Sequence, residues 1–219
     1  MLELHDLSIT GMHHDGSILW MAAPEERLVA AYDTKTEGVT KRLAYRHEVW
    51  DVCPAAEGLW LLSGGGSLGR QLVLWCLEEK REIRKFNCPD GAGAGVTLLD
   101  GKIWLTHRHN RKLYCLDPVS GKVNWMIRTE NESFSPATYK NELWLVECDP
   151  GPLGHWSESR QGKYFFSRYD PARENIVERL PVSFVPVCMA CDGGRFWYAE
   201  RGKKGIALTK RSLLVAARR

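Results

Sequence analysis

A short apolar run closing on tryptophan occurs five times in this chain of 219 residues: "GSILWMA" at Trp20, "EGLWLL" at Trp60, "DGKIWLT" at Trp104, "NELWLV" at Trp144 and "GRFWYA" at Trp197. The spacings are 40, 44, 40 and 53 residues. Self-similarity at this period means that one supersecondary unit is copied along the chain, and each copy buries its apolar face against the next. Within the third copy, "AGVTLLD" runs to an Asp-Gly turn, "GKIWLTH" returns, "KLYCLDPVSG" follows a polar loop and "KVNWMIR" completes the set. Each piece is short, rich in β-branched and aromatic residues, and bounded by turn chemistry, which predicts a four-stranded antiparallel meander.

The other four copies divide in the same way, and no apolar period of 3.6 residues persists long enough to predict a helix. The fold class is therefore all-β: a five-bladed β-propeller, each blade a four-stranded antiparallel meander. One domain spans 1–219, with blades at about 7–46, 47–87, 94–128, 134–182 and 186–217. Rolling the sheets into a ring leaves only short, protected edges. Asp33, Glu78, Asp117 and Asp170 recur near the ends of the third strands and read as turn formers.

Composition narrows the function classes. With 30 Lys+Arg against 27 Asp+Glu, the charge is too balanced for a nucleic-acid binder. No apolar window reaches the length of a membrane span, and the N-terminus lacks the pattern of a secretory signal. Seven cysteines without regular spacing sit in apolar strand-like runs and read as buried thiols of a cytoplasmic protein. Gly64-x-Gly66-x-x-Gly69 leads into a strand where a dinucleotide fingerprint needs a helix, so it predicts a hairpin and no nucleotide. Cys188 and Cys191 fall on opposite faces of a strand, which favours packing over a metal clip.

"DGKIWLT", "KLYCLDPVSGKV" and "GGRFWYAE" resemble blades of the streptogramin-lyase-like and quinoprotein-like β-propeller superfamily over nearly the whole chain. The resemblance implies architecture, because such blades serve lyases, hydrolases, quinone enzymes and inert scaffolds alike. The blade count is also distantly similar to the plant-type glutamine cyclotransferases, but their Glu-rich and Gly-rich signatures do not stand out and no catalytic residue is carried over. No quinone is expected, since neither a stacking Trp nor an adjacent-cysteine pair is identifiable for that cofactor.

In a meander of this kind, the loops leading into first strands share a face with the loops between second and third strands. Charge and histidine concentrate there, in "RHE" (46–48), "SGGGSLGR" (63–70), "DGAGAG" (90–95), "HRHNRK" (107–112) and "ECDPGPLGHWSESRQG" (147–162). This face is expected to be the working one. Three residues after each aligned Trp come Ala23, Ser63, His107, Glu147 and Glu200. Equivalent height places His107, Glu147 and Glu200 as candidate catalytic residues and as candidate ligands of a divalent metal, which would acidify a water or polarise an oxyanion. His47, Glu48 and Asp51, nearer the axis, are candidate ligand-binding residues, with His109 in the third blade's loop and His155, Trp156 and Arg160 in the longest loop. The expected partner is a small polar or anionic molecule, with metal-assisted lyase or hydrolase chemistry as an extension. The alternative is a non-enzymatic module binding a protein or glycan.

Overall fold

The computed structural model describes residues 6–65, 69–149 and 162–210. Nineteen strands make five antiparallel sheets in chain order. Strands β1 (Gly11–Asp15), β2 (Ile18–Ala23), β3 (Leu28–Asp33) and β4 (Gly38–Ala44) form the first. Strands β5 (Val49–Ala55), β6 (Gly58–Gly64), β7 (Arg70–Cys76) and β8 (Arg81–Asn87) form the second. The third comprises β9 (Gly95–Leu99), β10 (Lys102–His107), β11 (Lys112–Leu116) and β12 (Val123–Arg128). The fourth comprises β13 (Glu132–Tyr139), β14 (Glu142–Asp149), β15 (Lys163–Asp170) and β16 (Asn175–Val182). In the fifth, β17 (Pro186–Cys191), β18 (Arg195–Glu200) and β19 (Ala207–Lys210) are described, and the segment expected to supply its fourth strand lies outside the described residues.

The first strands meet around a common axis. β1 touches β5 and β17, β9 touches β5 and β13, and β13 touches β17, which closes the ring of a five-bladed β-propeller. Leu7 and Ile9, ahead of β1, pack with Cys188, Ala190 and Ala199 of the fifth blade, and Gly205 N–H donates to Leu7 O across the same seam at 3.1 Å. Among the described residues, no helix is long and apolar enough to cross a membrane.

Local chemistry accounts for the hairpins. Asp100 and Gly101 both have positive φ, 51° and 67°, the combination a two-residue hairpin turn demands. The expected turn formers act as such in three blades: one carboxylate oxygen of Asp33, Asp117 or Asp170 accepts backbone N–H groups two and three residues on. The glycine run leads into β7, a strand, with Gly64, the last residue of β6, and Gly69 both at positive φ.

The repeated tryptophans lie on second strands and are buried, each against the following blade. Trp20 joins the cluster containing Val52 and Leu61 of the second blade, and Trp104 the cluster containing Leu143 and Leu145 of the fourth. Fully burying such a side chain contributes about 1.5–3 kcal/mol, so these contacts are the principal apolar cement between blades. Cys188 and Cys191 project into different clusters on opposite faces of β17, and all seven cysteines are free thiols.

Candidate functional site

Irregularities in the innermost strands shape the channel mouth. The pairing of β5 with β6 shifts between Val49 and Asp51, that of β13 with β14 between Phe134 and Pro136, and that of β17 with β18 between Pro186 and Cys188. These bulges fall at Trp50, Ser135 and Val187, and a bulge re-aims the side chains around it. Trp50, Val187 and Phe134, the last beside the bulged Ser135, line a cavity of about 490 Å³. Thr10 and Ala94 complete its contribution from all five blades, so the cavity is the mouth of the central channel. It opens on the face expected from the loop distribution.

Two arginines furnish its walls. The Arg70 guanidinium lies 4.3 Å from the centroid of the Trp50 ring and Arg108 lies 4.2 Å from that of Phe134. Trp50 is held in place by its own indole N–H, which donates to Gly64 O at 2.8 Å. Arg108 Nε donates to the buried Glu132 carboxylate at 3.0 Å, an ion pair that compensates its charge. Arg70 is different: Nη1 donates to Gly93 O, and no carboxylate pairs with it among the described residues. Burial pulls its pKa down from the usual arginine value. A guanidinium keeps its charge in any ordinary protein environment, so Arg70 is a half-buried, uncompensated cation. None of the described residues lining the cavity is acidic.

His107 also lines the cavity and is buried. Its Nε2 is 3.4 Å from Asn110 Nδ2, and burial holds the imidazole below its usual range, partly offset by the nearby Asp90 carboxylate. Asp90 is itself held down to about 2 by hydrogen bonds from Lys112 and Tyr114, both at 2.7 Å. His109 is exposed on the cavity rim.

The other expected residues are placed elsewhere. Glu147 is fully buried, accepting from Ser167 Oγ at 2.5 Å and Arg179 Nε at 3.1 Å, and so belongs to the packing within the fourth blade. Glu200 pairs with Lys203 at 2.8 Å. The structure places His107, Glu147 and Glu200 against three separate sets of partners and does not bring them together as one group. Equivalent height is real, but side chains stand perpendicular to a sheet and these three meet partners of their own blades, whereas the axis lies in the plane of each sheet. Among the described residues, no group of three or more His, Cys, Asp or Glu is placed to hold a metal ion.

His47 is exposed beside Tyr45, and Glu48 is 4.0 Å from Arg27. Neither lines the cavity. Asp51 is buried beneath it, where one carboxylate oxygen accepts Val52 N–H at 2.9 Å and the other Val96 N–H at 2.8 Å. Burial raises its pKa well above the usual carboxylate value, against the pull of those two bonds. Gly11 and Gly95 leave room for the carboxylate, since a Cβ at either would collide with it. His155, Trp156 and Arg160 lie outside the described residues. Sequence reasoning missed Trp50, Arg70, Arg108 and Phe134. Both arginines stand in loops it had singled out, but nothing in the sequence marks the bulges that bring the aromatic residues to the mouth.

Comparison with known proteins extends the fold and leaves the chemistry open. No family model and no curated protein matches the sequence. Among solved structures, the Myxococcus xanthus glutaminyl cyclase superposes with a TM-score of 0.69 at 12% identity, covering 95% of this chain and 93% of that one. The architecture is shared; the sequence is not. The RRP9 WD40 repeats match with a TM-score of 0.53 at 14% identity, over 96% of this chain and 66% of theirs. Kuenenia stuttgartiensis hydrazine synthase matches with a TM-score of 0.53 at 15% identity, over 91% of this chain and 56% of its own.

Proposed function

We propose that this propeller binds a small anionic molecule with a flat apolar body at the mouth of its central channel. The observation that carries the reading is Arg70: a half-buried cation laid over Trp50 in a cavity where the described residues supply neither a carboxylate partner for it nor any acidic lining. Burying a charge without a counter-charge is costly, and an incoming carboxylate or phosphate relieves that cost while accepting charge-assisted hydrogen bonds. Trp50 and Phe134 supply aromatic wall for the body of the ligand, and glycines at 65, 69, 91 and 93 let backbone approach it closely.

Any lyase or hydrolase step would fall to His107, an imidazole in the cavity wall that is mainly uncharged at neutral pH and so able to accept a proton. A metal-assisted step is not carried forward, because His107, Glu147 and Glu200 are engaged with three different sets of partners. Seven free thiols fit a reducing, cytoplasmic setting.

Isothermal titration with benzoate, phthalate, phosphate and the cationic control benzamidine tests the reading. Benzoate or phthalate binding is expected, with a loss of about 10- to 100-fold in Arg70→Gln, the worth of one hydrogen bond to a charged group. Benzamidine binding as tightly as benzoate, or an unchanged Kd in the variant, would overturn it.

A further inference from the structure

Four of the five large apolar side chains that are well exposed among the described residues sit at one place: Val119, Val123, Trp125 and Met126, on and just ahead of β12 at the outer rim of the third blade. Among the described strands β12 is an edge, with backbone N–H and C=O groups on its outer side that no other described strand takes up. The other described outermost strands of four-stranded blades protect themselves with charge. β4 carries Lys41 and Arg42, β8 carries Arg81, Glu82, Arg84 and Lys85, and β16 carries Glu178 and Arg179. From Val123 to Ile127, β12 carries none. All four share a bulge against the third strand, so charge is the protection that β12 lacks.

This edge is also held ready. Trp125 packs edge-on against the buried Trp104, with ring centroids 5.8 Å apart and planes at 78°. The turn leading into the strand is clamped to the second blade: Arg84 Nη1 donates to Pro118 O at 3.1 Å, and Gly121, φ 70°, sits where any Cβ would strike the Phe86 ring. A rigid edge with a seated, half-exposed Trp costs little entropy to bind and has the composition of an interface anchor.

We propose that β12 is a docking edge that takes an extended apolar segment with acidic ends as a fifth strand of the third blade. Charge selects the occupant. Lys122 and Arg128 are exposed at the two ends of the apolar run, and neither forms an ion pair among the described residues. A second copy of β12 would bring four cations together at the seam, and the antiparallel register centred on Trp125 would set Lys122 opposite Arg128, which is destabilising. An incoming strand with Glu or Asp at its ends meets both cations. Alternate side chains would then pack on Trp125 while its backbone completes the ladder. The proposal gives the expected protein-binding alternative a place and a chemistry, and it does not depend on what occupies the channel mouth.

Fluorescence anisotropy with a labelled peptide tests it: five alternating Val and Thr residues between Glu pairs, compared with the same peptide ended in Lys pairs. The Glu-ended peptide is expected to bind at least tenfold more tightly. Trp125→Ser should weaken binding of the Glu-ended peptide at least tenfold by removing the anchor. The double variant Lys122→Glu/Arg128→Glu touches only exposed side chains and should invert the preference while keeping the urea midpoint of the parent. A Glu-ended peptide N-methylated at alternate residues, which cannot complete the ladder, should lose at least tenfold. Absence of binding by the Glu-ended peptide, equal affinity for both peptides, no inversion in the double variant, or full binding by the N-methylated peptide would each overturn the proposal. So would a Trp125-dependent dimer in sedimentation equilibrium, which would make the occupant a second copy.

Discussion

Replacing Asp51 with Ala should cost more stability than any other change of similar size near the channel. The carboxylate ties β5 to β9 by accepting Val52 N–H and Val96 N–H, at 2.9 and 2.8 Å, and it fills the space that Gly11 and Gly95 leave open. Removing it leaves two buried backbone donors without acceptors, at about 1–3 kcal/mol each, so the loss is about 2–6 kcal/mol before any cavity contribution. That is a large share of the roughly 5–15 kcal/mol that holds a typical domain folded. Asp51→Asn, which trades one acceptor for a donor, should lose about 1–3 kcal/mol. Urea unfolding followed by tryptophan fluorescence reads both, as a fall in midpoint at constant slope. The pH dependence gives a second handle. Because burial raises the Asp51 pKa in the folded protein, the folded state holds this proton more tightly than the unfolded chain. Its stabilising contribution is complete below the unfolded carboxylate value and is lost as pH rises through the folded value. The advantage of the parent over Asp51→Asn should therefore shrink as pH rises from the acid side. An Ala variant within about 0.5 kcal/mol of the parent, the range of an ordinary surface change, would refute the reasoning, as would an advantage that grows with pH.

Two further outcomes separate structural from ligand-facing residues. Glu147→Gln should lower stability by about 1–3 kcal/mol, because it disturbs a charge-assisted acceptor shared by Ser167 and Arg179, yet leave the benzoate affinity of the channel mouth within twofold. A large loss of affinity at unchanged stability would restore Glu147 to the site. NMR titration of His107 should give a midpoint below the ordinary 6.5, and Asp90→Asn should move it lower still, since the Asp90 charge favours the imidazolium. An upward move in the variant would contradict the described arrangement.

Much of the fold was legible because it depends on short-range pattern. Trp20, Trp60, Trp104, Trp144 and Trp197 all fall on second strands, and the Asp-Gly and Asp-capped hairpins lie where turn chemistry places them. The repeat also fixed equivalent heights correctly: Glu147 pairs across β13 with Ser133 much as Glu200 pairs across β17 with Pro186. Height does not fix direction, however. Three residues after a Trp that faces the following blade, a side chain faces the preceding one, so His107 approaches Asp90 at the junction with the second blade while Glu147 folds back onto Ser167 and Arg179. Sequence patterning could identify the loops holding Arg70 and Arg108, but the aromatic partners that orient them come from first strands. Trp50 reaches the mouth through a one-residue irregularity in pairing, and Phe134 stands beside another. Such a bulge arises from how sheets converge on an axis, which no local run of residues encodes.

The most direct measurement is the anomalous difference map of a crystal soaked in 4-bromobenzoate. The account predicts a bromine peak in the channel mouth between Trp50 and Phe134, with the carboxylate against Arg70, and no peak there in Arg70→Gln crystals treated alike. Bromine ordered only elsewhere on the molecule, or an equally strong peak at the mouth without the arginine, would contradict it.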